Sequence, residues 1–199
     1  MKKVIFLIAP LLFLATSCAS SGSSSSTQTQ TPSESSSPTA TDKSVVYKTP
    51  KNCTSTKILQ AISPTITGAA VINTPWQPSP GTELFDFLNN GGIACSYGIS
   101  SAEIGTTVKW VKEASELFSG RTTQWKNDGY ELVDLANQDE QAAYFKFIPV
   151  GAKQEFQIWS LNILIGGMWI QIDATYLHDL KSAESLITAA IVSAAVSGN

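Results

Sequence analysis

Side chains that commonly carry catalysis or bind metals are scarce in this sequence of 199 residues. It contains one histidine and three cysteines, and its 13 basic residues are outnumbered by 16 acidic ones. No Gly-x-Ser-x-Gly motif marks a serine nucleophile, and no phosphate-binding glycine motif occurs. A basic stripe of the kind that binds nucleic acid is also missing. The sequence therefore predicts no cofactor, no metal site and no nucleic-acid partner.

The first 18 residues have the pattern of a secretion signal. Lys2 and Lys3 precede an apolar run, residues 4–14, and small residues lead from there to Cys18. A positive start, an apolar run and a small-residue cleavage site are typical of a secretory signal. The segment also resembles a bacterial lipobox, which implies cleavage before Cys18 and its acylation. We therefore predict a protein anchored by lipid at Cys18 on the cell membrane, facing outside the cytoplasm.

The same segment fits two alternatives, an ordinary signal peptide with a chance cysteine and an uncleaved membrane anchor. The apolar run of about a dozen residues is shorter than the roughly 20 that a spanning helix needs. The sequence also lacks a polybasic segment that would bind an anionic membrane, so the lipid is the expected anchor.

A segment rich in Ser and Thr follows the cysteine. Between Ala19 and Asp42, 15 of 24 residues are Ser or Thr. Such a composition buries too little apolar surface to offset the entropy of ordering, and we expect a flexible spacer with an r.m.s. span on the order of 25–30 Å. The predicted organisation is a signal peptide over 1–17, a lipidated spacer over 18–50 and one folded domain over 51–199.

Cys53 and Cys95 are the cysteines that remain for the folded domain. An oxidising compartment outside the cytoplasm favours a disulfide between them. Closing a loop of about 43 residues contributes roughly 4 kcal/mol in the chain-entropy model. Two separate buried thiols are the alternative, and a metal site would lack ligands because His178 is far away in sequence.

The clearest local structure is a hairpin at Gly166-Gly167. A two-residue Gly-Gly link between apolar runs predicts a tight turn, and that turn sets the register of the strands. One face of the predicted hairpin is apolar throughout, and the other pairs Asn162 with Gln171 and Ser160 with Asp173. The expected apolar pairs are Ile165 with Met168, Ile163 with Ile170, Leu161 with Ile172, and Trp159 with Ala174; Leu164 faces Trp169 near the turn.

Hydrophobic periodicity predicts the remaining elements. The expected strands are Ile104–Val111, Tyr130–Leu135 and Gln141–Ile148, and the expected helices are one near Thr54, one over Lys112–Asp128 that ends before Gly129, and one over Ser182–Val196. This order predicts an α+β fold: an antiparallel sheet of about five strands, with helices packed mainly on one face and one disulfide.

Three short stretches carry a resemblance to a known group of proteins. Cys53-Thr54 opens a helix, residues 91–98 lead through Cys95 into a strand, and Trp125 precedes Gly129-Tyr130. In these features the chain resembles small actinobacterial lipoproteins that have an uncharacterised, sensor-like extracytoplasmic domain. The resemblance covers residues 51–195. It implies an α+β fold and an extracytoplasmic role, without a known reaction.

Two places in the folded domain are candidates for ligand binding. Trp76 lies in a proline-rich loop over 74–81, where it could anchor a partner or fold back onto the core. Trp169, with Leu164 and Gln171, lies on the outer face of the hairpin. If no helix covers that face, its aromatic and polar groups suit a sugar or a peptide; if a helix covers it, Trp169 belongs to the core.

A hydrolase is the alternative to a binding or sensor-like domain. It would have to use His178 with Asp173 or Asp179, or paired carboxylates as in glycoside hydrolysis. The carboxylate pairs are Asp139 with Glu140, and Glu83 with Asp86. Exposed acids are common in turns and on helices, so we expect a non-enzymatic domain that binds a partner protein, a cell-wall component or a small ligand.

Overall fold

A computed structural model describes residues 45–151 and 157–197. The predicted signal peptide, Cys18 and the spacer up to residue 44 lie outside the described residues. The described strands are β1 Val45–Tyr47, β2 Ala70–Ile72, β3 Ile93–Ile99, β4 Ile104–Val111, β5 Glu131–Val133, β6 Ala142–Ile148, β7 Ile158–Ile165, β8 Met168–Ala174 and β9 Ala195–Ser197. The described helices are α1 Ile58–Ile62, α2 Glu83–Asn89, α3 Ser115–Asn127 and α4 Glu184–Ala194.

Seven of these strands form one antiparallel sheet in the order β2-β3-β4-β8-β7-β6-β5. The predicted α+β class is confirmed, but the sheet is larger than the expected five strands. The short edge strand β2 explains part of the difference, because three residues are too few to show an alternating pattern. A separate pair, β1 with β9, adds two more strands of three residues.

The hairpin β7–β8 has the predicted register throughout. Leu161 pairs with Ile172 and Leu164 pairs with Trp169. Gly166 and Gly167 have φ of +54° and +74°, as a two-residue turn with two left-handed positions requires. A Cβ on Gly166 would also collide with the Tyr47 ring. The turn therefore needs glycine both for its backbone conformation and for the packing of β1.

Helices cover both faces of the sheet, so the expectation of helices mainly on one face is wrong. On the inner face, the apolar side of the hairpin packs with α1 and α4 around Trp110. On the outer face, α2 and α3 form a second core with the hairpin tip, through Phe87, Phe118 and Trp169. The sequence left open whether a helix covers the polar side of β7 and β8. In the structure Gln171 bonds to Glu83 of α2, and Ser160 bonds to Asp173.

The ends of the described chain pair with each other. β1 lies in the segment that composition assigns to the spacer, yet Val45–Tyr47 pair with Ala195–Ser197. The final helix therefore stops at Ala194, earlier than predicted, and the chain continues as β9. Tyr47 packs against the core beside Gly166, so the chain enters the domain at the hairpin-tip end of the sheet.

The predicted disulfide between Cys53 and Cys95 is present, with a Cα–Cα distance of 5.4 Å. It joins the turn before α1 to the middle of β3. The Tyr97 hydroxyl donates to the Cys53 carbonyl at 3.1 Å, so a hydrogen bond supports the same junction. No helix within the described residues is long and apolar enough to cross a membrane.

Candidate functional site

The outer face of the sheet is divided into rows of cross-strand neighbours. The row nearest the hairpin tip is apolar and lies under α2 and α3. The next row, which we call the covered row, contains Lys109, Gln171 and Asn162, and all three are buried. The row after that, the open row, contains Ser96, Thr107, Asp173 and Ser160. Apart from Ser160, its members are partly exposed.

Helix α2 is positioned over the covered row by its own capping and by an ion pair to α3. The Thr82 hydroxyl accepts the Phe85 N–H at 3.3 Å and caps the start of the helix. One turn further on, Asp86 accepts two hydrogen bonds from Arg121 of α3, at 2.6 and 2.9 Å. This placement aims the Glu83 carboxylate at the sheet.

Glu83 and Lys109 connect α2 to the sheet through a hydrogen-bonded chain. Glu83 accepts from the Trp125 indole and, at 2.6 Å, from the Gln171 amide. The Gln171 carbonyl accepts from the Lys109 ammonium at 2.7 Å, and Asp173 accepts from the same ammonium at 3.0 Å. Buried charges are tolerated when they are paired and hydrogen-bonded, so this series of hydrogen bonds stabilises the covered row.

The hydrogen bonds continue from Asp173 along the open row toward the β5 edge of the sheet. Ser160 donates to Asp173 at 2.6 Å, and Tyr130 donates to Ser160 at 3.0 Å. Burial, together with nearby carboxylates of which Glu83 is the first, raises the pKa of Tyr130 to about 12. Lys146 lies 5.3 Å from the centre of the Tyr130 ring. Tyr130 therefore stays protonated near neutral pH and acts as a hydrogen-bond donor.

A cleft of about 390 Å³ opens beside the open row. Ser96, Thr107 and Asp173 line it, together with residues just beyond the ends of β4 and β8, Glu103 and Thr175. These residues lie at the end of the β7–β8 hairpin opposite its turn. A concave site with a few convergent polar groups is the usual form of a small-molecule site.

The cleft offers mostly uncharged hydrogen-bonding groups and apolar carbon. The hydroxyls of Ser96 and Thr107 lie 3.2 Å apart and bond to each other. Among the described residues, those that line the cleft include two carboxylates, Asp173 and Glu103, but no lysine, arginine or histidine. Apolar side chains complete the lining, among them Ile72, Ile99, Ile104 and Ile158.

The binding residues predicted on the outer hairpin face are not accessible. Trp169 is 0% exposed, Leu164 is 7% and Gln171 is 3%. Trp169 is enclosed by Phe87 of α2, 4.3 Å away between ring centres, and by Trp125 of α3, 5.5 Å away. The prediction that Trp169, Leu164 and Gln171 form a binding surface is therefore wrong, because two helices cover them.

Trp76 folds back onto the sheet, which is the second of its two predicted roles. Its indole N–H donates to the Ala94 carbonyl of β3 at 2.9 Å, and its side chain is half-buried. The proline-rich loop is thus tied to the sheet through its tryptophan. Trp76 is a structural contact of this loop more than an exposed anchor for a partner.

Several of the candidate carboxylates for hydrolysis have structural partners. Asp179 accepts the Ser182 N–H at 2.7 Å, and this bond, with that from the Ser182 hydroxyl, lowers the pKa of Asp179. Glu140 accepts the Leu135 N–H at 2.7 Å. His178 is exposed and packs edge-on against Phe147 at 6.0 Å between ring centres.

Sequence reasoning missed Ser96 and Thr107 as candidate site residues. The alternation of β4 places Thr107 and Lys109 opposite Val108, which was visible in the sequence. The pairing of β4 with β8, which brings Thr107 beside Asp173, was not visible, since α3 and three further strands separate the two in the chain.

Comparison with protein-family models, with curated proteins and with solved structures gives no match. Within residues 45–151 and 157–197, no group of three or more His, Cys, Asp or Glu side chains is placed to hold a metal ion. The cleft and the amino-terminal sequence are the two features on which we base a function.

Proposed function

We propose that this protein is a lipid-anchored extracytoplasmic lipoprotein whose folded domain binds a small ligand without transforming it. The lipobox-like segment ending at Cys18 supports the anchor. The cleft beside the open row supports the binding function, and it is the observation that carries the proposal. Its walls come from five neighbouring strands of one sheet, so the site is preformed.

The cleft and the first described strand lie at opposite ends of the β7–β8 hairpin. The chain enters the domain at β1, where Tyr47 packs against Gly166 of the hairpin turn. The cleft lies near Asp173, about seven residues further along β8, or about 20 Å at the rise of a strand.

Binding is preferred over hydrolysis because the two candidate catalytic carboxylates of α2 are engaged in hydrogen bonds within the protein. Glu83 bonds to Trp125 and Gln171, and Asp86 bonds to Arg121. A carboxylate that acts as an acid or base must reach the substrate, and these two link α2 to its neighbours. We therefore assign them a structural role.

Mass spectrometry of the protein from native membranes tests the anchor. We expect residues 1–17 to be absent and a diacyl or triacyl group to be attached at Cys18. The variant Cys18→Ser should leave the membrane fraction. An unmodified Cys18 in the wild-type protein would refute the anchor and leave the proposed binding in the cleft unaffected.

A blocked-cleft variant tests the binding function. Ser100 lines the cleft at its exposed rim, so Ser100→Trp should fill the entrance without disturbing the covered row. Ser119 is exposed on α3, and Ser119→Trp is the matched control. We expect a small-molecule fraction of the cell envelope to shift the amide resonances of cleft residues in the wild type and in Ser119→Trp, and not in Ser100→Trp. Equal shifts in all three proteins, or none in any, would contradict binding in the cleft.

A further inference from the structure

We infer that the cleft takes an uncharged, hydroxyl-rich ligand such as a sugar unit; this inference rests on the proposed binding function and adds its ligand class. Three properties of the cleft carry it: the charges on its lining, the ion pair behind Asp173, and the hydroxyl groups of the open row. Each excludes one class of ligand or favours another.

The described lining of the cleft offers an anionic ligand no basic side chain. In the part of the chain that the structure describes, the lining contains Asp173 and Glu103 and no basic side chain. Lys109, which lies behind Asp173, already donates to Gln171 and Asp173. A phosphate or a carboxylate would meet no free cation among these lining residues and would leave its own charge unpaired, which is costly in a partly dehydrated site.

Cationic ligands find little uncompensated negative charge. The Asp173 carboxylate receives the Lys109 ammonium at 3.0 Å on one oxygen and the Ser160 hydroxyl at 2.6 Å on the other. Its side chain is still 38% exposed, so lone pairs remain free to accept neutral hydroxyls. Glu103 lies at the exposed rim, where water and salt screen its attraction for a cation.

Neutral hydroxyl groups of a ligand match the hydrogen-bonding capacity that remains on Ser96, Thr107 and Asp173. A serine or threonine hydroxyl can donate one hydrogen bond and accept two. The single mutual bond between Ser96 and Thr107 leaves capacity on both. A sugar hydroxyl that accepts from one of them and donates to Asp173 satisfies both partners. The flanking Ile72 and Ile158 are suited to the C–H surfaces of a sugar ring.

A matched set of sugars tests this assignment. Glucose and N-acetylglucosamine are neutral, glucosamine carries an ammonium, and glucuronate carries a carboxylate. Titration followed by amide chemical shifts of cleft residues gives each dissociation constant. We expect at least one neutral sugar to bind with little dependence on salt, and glucuronate to bind about fivefold more weakly, as an unpaired charge implies. Glucosamine should bind no more tightly than glucose.

A conservative variant locates the binding. Thr107→Val keeps the shape and removes the hydroxyl, and we expect it to weaken the neutral sugar about 3- to 10-fold, the range for one neutral hydrogen bond. Thr123→Val, at an exposed position of α3, is the control and should change nothing.

The outcomes separate the ligand class from the binding function. Tighter, salt-sensitive binding of glucosamine or of glucuronate in the cleft would overturn the neutral-ligand assignment and leave the binding function standing. If none of the four sugars binds, the assignment is also overturned, and the comparison of Ser100→Trp with Ser119→Trp decides the binding function by itself.

Discussion

Replacing Lys109 with methionine is expected to destabilise the domain by about 2–3 kcal/mol. Gln171, 3% exposed, would lose the donor to its carbonyl oxygen, which costs about 1–3 kcal/mol for a buried acceptor. Asp173 would lose an ion pair, but with 38% of its side chain exposed it recovers much of that by hydration, so its share stays at or below about 1 kcal/mol. Methionine retains most of the buried hydrocarbon of lysine, which limits further loss.

Urea unfolding followed by circular dichroism measures this effect. Lys112→Met is the matched control, because Lys112 is a nearby lysine whose side chain is 56% exposed in its pair with Glu113; a change within about 0.5 kcal/mol is expected. A double-mutant cycle with Asp173→Asn should give a coupling of about 0.5–1 kcal/mol to Lys109. If Lys109→Met costs no more than Lys112→Met, the covered row does not stabilise the outer face and Asp173 is not neutralised in the way proposed.

Three further predictions address the core, the disulfide and the tyrosines. Trp169→Ala should cost about 3–5 kcal/mol because Trp169 is fully buried, and a variant of unchanged stability would contradict its place in the core. Replacing Cys53 and Cys95 together with alanine should lower the free energy of unfolding by roughly 4 kcal/mol. An unchanged midpoint of urea unfolding would show that the disulfide does not contribute to stability. Burial raises the pKa of three of the five tyrosines from 10.0 to about 12, so the stability they contribute is complete below pH 10 and is lost as the pH rises from 10 to 12. Absorbance at pH 10 that corresponds to more than two phenolates in the folded protein would refute this. These tyrosines are Tyr97, Tyr130 and Tyr176.

Local sequence signals predicted the elements that depend on neighbours in the chain. The Gly166-Gly167 turn set the pairs from Trp159–Ala174 to Ile165–Met168, because a two-residue turn allows one register. The strand over Ile104–Val111 has the predicted bounds. Helix α3 starts at Ser115, three residues later than predicted, since Glu113 adopts a left-handed conformation with φ of +54°.

Contacts between distant segments decided what the local pattern left open. Trp169 could equally have faced solvent or a helix, and the choice depended on α2, which lies far earlier in the sequence. A helix of seven residues is too short to be recognised from hydrophobic periodicity. The binding candidates on the hairpin were wrong for this reason, while the alternative that placed Trp169 in the core was confirmed.

The sequence by itself determined the register of the central hairpin and the pairing of Cys53 with Cys95, because turn geometry and the small number of cysteines leave few other solutions. The tertiary structure decided which polar groups are buried and which stay open. It placed α2 and α3 over one half of the outer face and left Ser96, Thr107 and Asp173 beside a cleft on the other half. That division arises from strand pairings and helix contacts between segments far apart in the chain, and no local pattern encodes it.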